Sequence, residues 1–189
     1  LFVTDAPGRS DIMATRFVAI VQARMGSSRL PGKVMMKLGG AAVLEHVVGR
    51  VLNSGAFDDV VVATTTSPAD DVVAEQAALY GARVFRGSEA DVLGRYAAAA
   101  ADADADVIAR VTADCPLIDP GCLASMVELF RREEQAVVPA AMVTNARLRT
   151  FPRGLDAEVF SRAALVAAHQ EAIRGYEREH VTPYIYEHP

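Results

Sequence analysis

The chain has 189 residues, 51% of them hydrophobic, with a net charge of −5 and two cysteines, enough for one domain with a sizeable core and too little for a second full one. No apolar run approaches the roughly 18 residues of a membrane span, the acidic balance excludes a broad nucleic-acid-binding face, and Cys115 and Cys122 are too few for a zinc site or a disulfide framework. What remains is a soluble protein of a reducing, cytoplasmic compartment whose partners are small molecules rather than nucleic acid or membrane.

Residues 1–12 lack an initiator Met and the apolar run of a signal peptide, and read as an N-terminal extension ahead of a domain over 13–189. Phe17 to Gln22 is an apolar, β-branched strand that runs into a loop, Ala23 to Lys33, rich in Arg, Ser and Gly. Between Ile12 and Leu44 stand five cations (Arg16, Arg24, Arg29, Lys33 and Lys37) and no Asp or Glu. A local positive patch on an acidic chain suits a small polyphosphate. It is not a P-loop: five residues separate Gly26 from Gly32, and Val34 follows Lys33 where a metal-binding hydroxyl is needed. Nor is it a dinucleotide fingerprint, because no glycine lies two residues after Gly26. The reading is a loop whose N–H groups at Gly26, Ser27 and Ser28 face phosphate oxygens while Arg24, Arg29 and Lys33 add charge.

Farther along, helical periodicity at Val43–Leu52, Ala69–Tyr80 and Ala90–Ala101 alternates with strands at Asp59–Thr64, Arg83–Phe85 and Val107–Thr112. Such alternation implies right-handed crossovers and a mostly parallel sheet covered on both faces, an α/β/α sandwich. Ligands then sit beyond the carboxyl ends of the strands, which gathers the loop after Gln22 and the TTTSPAD, RGSE and TADCP turns at one edge. After Pro120 the pattern changes to a helix at Gly121–Arg132, a strand at Ala136–Val143, a polar excursion over Thr144–Gly154 and an alternating strand at Leu155–Phe160. Ser161 then caps a helix to about Ala172. Residues 17–120 read as the half that holds the polyphosphate site and 121–189 as a second half whose polar excursion is too long for a tight hairpin.

Each candidate has a bland alternative. Asp114 in TADCP is an Asx turn before Pro116 or a metal ligand, and phosphate chemistry without a P-loop hydroxyl favours the ligand. Asp119, before Pro120, reads as a helix cap. Arg86 and Arg95 suit base, phosphate or an acceptor carboxylate, with a solvated helix face as the alternative for Arg95. Asp156 and Glu158, two residues apart on one side of a strand, suit a metal or sugar hydroxyls. His46, His169, His180 and His188 have no metal-ligand spacing and lie outside the four turns, so they read as surface or core. No feature marks Cys115 as a nucleophile. A glycosyltransferase would carry an Asp-x-Asp after a strand, whereas the run Asp102, Asp104, Asp106 precedes one.

Taken together, AIVQARMGSSRLPGKV, VVATTTSPADD, VFRGSEADVLGRY, RVTADCPLIDP, FPRGLDAEVFSRAAL and EREHVTPYIYEHP resemble, in this order, the acylneuraminate cytidylyltransferase family. The nearest branch is similar to the spore coat polysaccharide biosynthesis protein F type, related to the enzymes that make CMP-sialic acid and CMP-Kdo. The resemblance implies a Rossmann-like fold of the nucleotide-diphospho-sugar transferase (GT-A-like) kind. It also implies an Mg²⁺-dependent transfer of CMP from CTP to a small sugar acceptor, in particular a 2-keto acid sugar, by a homodimer. Arg24, Lys33 and Asp114 would be catalytic, and Ala23, Arg24, Met25, Gly26, Ser27, Arg29, Lys33, Thr64 and Arg86 would bind nucleotide. Arg95, Asp156 and Glu158 would bind the acceptor, and Asp114 and Asp156 the metal. Members of the family continue past EHVTPYIY into a further strand and helix, which carry a metal-assisting Asp in the Kdo branch; Asp156 is the candidate to replace it. A nucleotide-binding module without catalysis is the other alternative.

Overall fold

The computed structural model describes residues 14–27, 29–136, 140–148 and 151–188. The expected extension over 1–12, the Ser28 amide and residues 149–150 of the polar excursion lie outside them. In chain order the elements are β1 (Phe17–Gln22), β2 (Lys37–Leu38), β3 (Ala41–Ala42), α1 (Val43–Asn53), β4 (Asp59–Thr65), α2 (Asp71–Leu79), β5 (Arg83–Gly87) and α3 (Val92–Asp102). They continue with β6 (Val107–Thr112), α4 (Pro120–Glu134), β7 (Met142–Thr144), β8 (Glu158–Ser161), α5 (Arg162–Glu171), α6 (Gly175–His180) and α7 (Pro183–Glu187).

The main sheet has the order β5-β4-β1-β6-β8-β7. β5, β4, β1 and β6 are parallel, while β8 runs antiparallel to β6 and β7 antiparallel to β8. Strand alternation splits the core in two. Phe17, Ala19 and Val21 of β1 and Val107, Ala109 and Val111 of β6 face the layer of α1, α2 and α4. Val18, Ile20 and Ile108 face the layer of α3, α5 and the C-terminal segment. Each fully buried side chain of this kind contributes about 1.5–3 kcal/mol, which is why the pattern of β-branched residues decides which strands are central. The sheet is continuous across both halves of the chain, joined where β6 pairs with β8.

Caps begin the helices where short polar residues stand. Asp91 Oδ1 accepts the Gly94 N–H at 2.9 Å, Asp119 Oδ1 that of Cys122 at 2.7 Å with Pro120 next, and Ser161 Oγ that of Ala164 at 3.1 Å. Several boundaries differ from the sequence reading. The segment expected to be helical from Ala69 opens with a 3₁₀ turn at Pro68–Asp70. The strand expected over Ala136–Val143 is Met142–Thr144, with residues 137–139 outside the description, and the one expected from Leu155 begins at Glu158. The β2–β3 hairpin, turned by Gly39 (φ 60°) and Gly40 (φ 99°), and the helices α6 and α7 were not anticipated. Among the described residues, no helix is long and apolar enough to cross a membrane.

Candidate active site

In the sheet order, the crossovers from β1 run outward through β4 to β5 and then return past β1 to β6. The crevice beyond the carboxyl ends of β1 and β6 is therefore the switch point at which an open α/β sheet accepts a ligand. A cleft of about 340 Å³ lies there. Its floor is made by strand alternation: on the α3 side of β1 and β6 the apolar Val18, Ile20 and Ile108 give way to Gln22, Arg110 and Thr112.

One wall is the cationic loop. Asp70, buried on the 3₁₀ turn after β4, accepts the Met25 N–H at 2.6 Å and the Thr65 hydroxyl, which fixes where the loop leaves β1. The Gly32 N–H donates to the Met25 carbonyl at 2.9 Å and closes the loop. Gly32 sits at φ 71°, a left-handed conformation that side chains with a Cβ rarely adopt, which favours glycine there. The Ser27 N–H donates back to the Met25 carbonyl at 2.8 Å. That corrects the expectation that it faces a ligand: in this turn the loop's charge comes from side chains more than from the Ser27 amide.

Ala23, Arg24, Ser27, Arg29, Lys33, Arg95 and Asp114 of the expected site residues line the cleft. Lys33 Nζ lies 2.5 Å from Asp114 Oδ2, both partly exposed, and Arg24 Nη1 lies 3.2 Å from Glu89 Oε1. Burial acts to raise the Asp114 carboxyl, but hydrogen bonds from Lys33 and Thr112 and the Lys33 charge hold it below the ordinary carboxylate value, so it is anionic at neutral pH. Arg95 is buried and donates to the Ser88 carbonyl, and burial lowers its pKa. Met25 and Gly26 are not on the cleft wall, nor are Thr64, buried on β4, and Arg86. Arg86 donates to the carbonyls of Thr65 and Ser67, each at 2.9 Å, and pairs with Asp71 at 2.7 Å. Its guanidinium thus holds the turn after β4.

Asp156 and Glu158 wall an adjoining cavity of about 250 Å³ with Arg110, Thr112 and Cys115. Asp156 precedes β8 rather than sharing a strand with Glu158. The Glu158 carboxylate is 5% exposed and accepts from Arg110 at 2.7 Å, from Thr182 at 3.1 Å and from Tyr186. A carboxylate so engaged serves the side chains around it. Cys115 is a thiol, raised by burial and then by the charges of Asp114 and Asp156, against a lowering contact from Thr112.

Gln22, Arg110, Thr112, Glu179 and His180 add to the cleft wall, with Val34, Val92 and Ala113 as its apolar part. His180 had read as surface or core, and α6 brings it to the site although it lies far along the chain from every convergent turn. Its only sequence signal was its place in EREHVTPYIY. Asp70 gave none beyond its position in TTTSPADD.

A cleft of this size, cationic and set at a switch point, has the dimensions and charge that suit a nucleotide. A family profile described as cytidylyltransferase matches residues 18–189. The spore coat polysaccharide biosynthesis protein SpsF of Bacillus subtilis is 36% identical over 175 residues, 90% of this chain and 70% of that protein. Among solved structures, a cytidylyltransferase from Leptospira borgpetersenii superposes with a TM-score of 0.87 at 40% identity, covering 92% of this chain and 72% of that one. A CMP:2-keto-3-deoxy-manno-octonic acid synthetase complexed with CTP has a TM-score of 0.67 at 19% identity over 90% of this chain and 84% of its own, a likeness of fold. With its match running from the second residue of β1 to the last residue of the sequence, the chain belongs to the cytidylyltransferase family.

Proposed function

We propose that the protein transfers CMP from CTP to a small acidic sugar, of the 2-keto acid class, and releases pyrophosphate, for a surface polysaccharide. The observation that carries the reading is the Lys33–Asp114 pair at the crevice between β1 and β6. A cation and an anionic carboxylate stand side by side at the crevice, which supports a polyphosphate there. CTP in the structure of similar fold and the polysaccharide role in the name of the Bacillus relative support the substrate classes.

In this reading Arg24, Arg29 and Lys33 neutralise the triphosphate, and Lys33 leaves Asp114 for a phosphate oxygen. An acceptor hydroxyl oxygen bonds to the α-phosphorus as the bond to the β-phosphate oxygen breaks, and its proton passes to water. The protein's contribution is positioning and charge neutralisation. Among the described residues no three His, Cys, Asp or Glu cluster as a ready metal cage. Mg²⁺ does not need one, because it is commonly held by one or two carboxylates together with phosphate and water. Asp114 on the cleft wall and Asp156 on the adjoining cavity, which shares Arg110 and Thr112 with the cleft, would supply that donor chemistry. Bound there, Mg²⁺ would neutralise phosphate charge. We place the protein in a reducing compartment, consistent with its two free thiols. A second copy would cover the apolar groove formed by Met126, Leu129, Val143, Leu148 and Phe151, which light scattering tests.

The deciding experiment is pyrophosphate release from CTP, UTP, GTP and ATP with Mg²⁺ across a panel of 2-keto acid sugars and neutral aldoses. Release with CTP and an acid sugar, abolished by Asp114→Asn, is expected. CTP binding without release would leave a nucleotide-binding module, and consumption of a nucleotide-sugar would make the protein a glycosyltransferase.

A further inference from the structure

Arg110 is not accounted for by nucleotide handling. It sits in the interior of β6, paired in register with Ile20 on one side and Glu158 on the other. Its Nη1 donates to Glu158 Oε2 at 2.7 Å, and the carboxylate also accepts the Thr182 and Tyr186 hydroxyls. Tyr186 reaches the Thr144 hydroxyl at 3.1 Å as well. Tyr96 of α3 also meets Arg110; the other groups that set the guanidinium come from residues 144–186 and, among the described residues, none from the cationic loop.

The backbone is bent to make this setting. Val181, fully buried, has φ 72° and ψ −55°, and the Thr182 N–H donates to the His180 carbonyl at 2.9 Å. That is a γ-turn of the rare, strained hand on a β-branched residue. It turns His180 to the cleft wall and leaves Thr182 on Glu158. Strain of this kind persists where surrounding structure over-determines it, commonly at ligand sites.

Arg110 walls both the nucleotide cleft and the second cavity, on the side of Asp156. Its Nε is buried with no hydrogen-bond partner, as are Gln22 Oε1 and Arg95 Nε on the same cleft wall. A buried ion pair is seldom more stabilising than hydrophobic residues of equal volume, and an unspent buried donor is costly. Stability therefore does not explain the pairing, and the Arg110 side chain keeps 17% of its surface open where cleft and cavity meet. Its planar fork matches a carboxylate.

We infer that Arg110 recognises the carboxylate of the acceptor sugar at the junction of cleft and cavity, and that Glu158, Thr182 and Tyr186 are its positioning residues. The inference rests on the transfer reading above and deepens it.

The test uses the Arg110→Met/Glu158→Gln double variant, which removes both charges at similar volume, so a merely structural pair would be mended. Thermal melting checks the fold, calorimetry measures CTP affinity, and pyrophosphate release gives acceptor KM over the same panel of 2-keto acid sugars and neutral aldoses. The expected result is turnover of acid sugars in preference to aldoses, with the double variant raising acceptor KM about 30-fold while CTP affinity stays within about twofold. Tyr186→Phe, which only loosens the setting, should raise the same KM severalfold with kcat retained, and stands in if the double variant does not fold. An unchanged KM, preference for neutral aldoses, or CTP binding with no acid sugar used would overturn the inference. Failure of the unaltered protein to bind CTP would defeat the transfer reading itself and this inference with it.

Discussion

Lys33 and Asp114 arrive from the loops after two neighbouring strands and pair at 2.5 Å, and in the proposed reaction the ammonium passes from the carboxylate to the triphosphate. Removing one such preorganised donor costs about 3 kcal/mol in the transition state, and Lys33→Ala should lower turnover about 100-fold. Because both side chains are partly exposed, the thermal midpoint should hardly move; pyrophosphate release and a melting curve on one sample check both parts. The place of these two residues on the cleft wall was legible from composition and motif. The engagement of Glu158 was not, because Arg110 lies 48 positions away and Thr182 and Tyr186 lie 24 and 28 positions on. Spacing within a strand says which face a residue shares, and nothing about who else has reached that face.

At the scale of elements, α6 and α7 are six and five residues long, too short to form alone, and exist because they dock. Arg178 of α6 forks onto Asp91 at 2.5 and 3.0 Å, and Asp91 is also the N-cap of α3. One carboxylate thus starts a helix and holds the segment that brings Glu179 and His180 to the cleft. Burial acts to raise the Asp91 carboxyl, but the Arg178 and Gly94 hydrogen bonds and the Arg178 charge leave it below the ordinary aspartate value of 3.8. With the folded value depressed, the contribution is present above the unfolded value and is lost as pH falls through the folded one. Asp91→Asn keeps a competent cap and removes the charge. Denaturant melts across pH 2–7 should then show a lower plateau at neutral pH and a shallower acid decline than in the unaltered protein. Periodicity showed α1, α3 and the central strands nearly to the residue. It could not show α6, α7 or the β2–β3 hairpin, whose cause is contact with the rest of the fold.

For the whole molecule, the α3 layer is pinned to the sheet by Tyr96, fully buried, with its hydroxyl donating to the Ile20 carbonyl at 3.1 Å. Burial pushes its phenol up to about 12 from an ordinary value of 10.0, the charges of Arg110 and Arg95 opposing. The folded value is the higher one, so the stabilisation is complete below pH 10.0 and is lost as pH rises towards about 12. Tyr96→Phe should cost about 1 kcal/mol at neutral pH for the lost hydrogen bond and flatten that alkaline decline, which denaturant titrations at stepped pH would read.

The sequence by itself determined the alternation of central strands and helices, the placing of the cationic loop beyond β1 and of Asp114 beyond β6, and through its ordered motifs the family. These follow from local rules: which residues tolerate a strand, which cap a helix, where a glycine must turn. Only the tertiary structure decided that Arg86 braces a turn, that Asp70 anchors the loop, that His180 reaches the cleft and that Glu158 sets Arg110. Each depends on which side chain meets a partner far along the chain in a buried place, where an unmet hydrogen bond is costly and the nearest available group is taken.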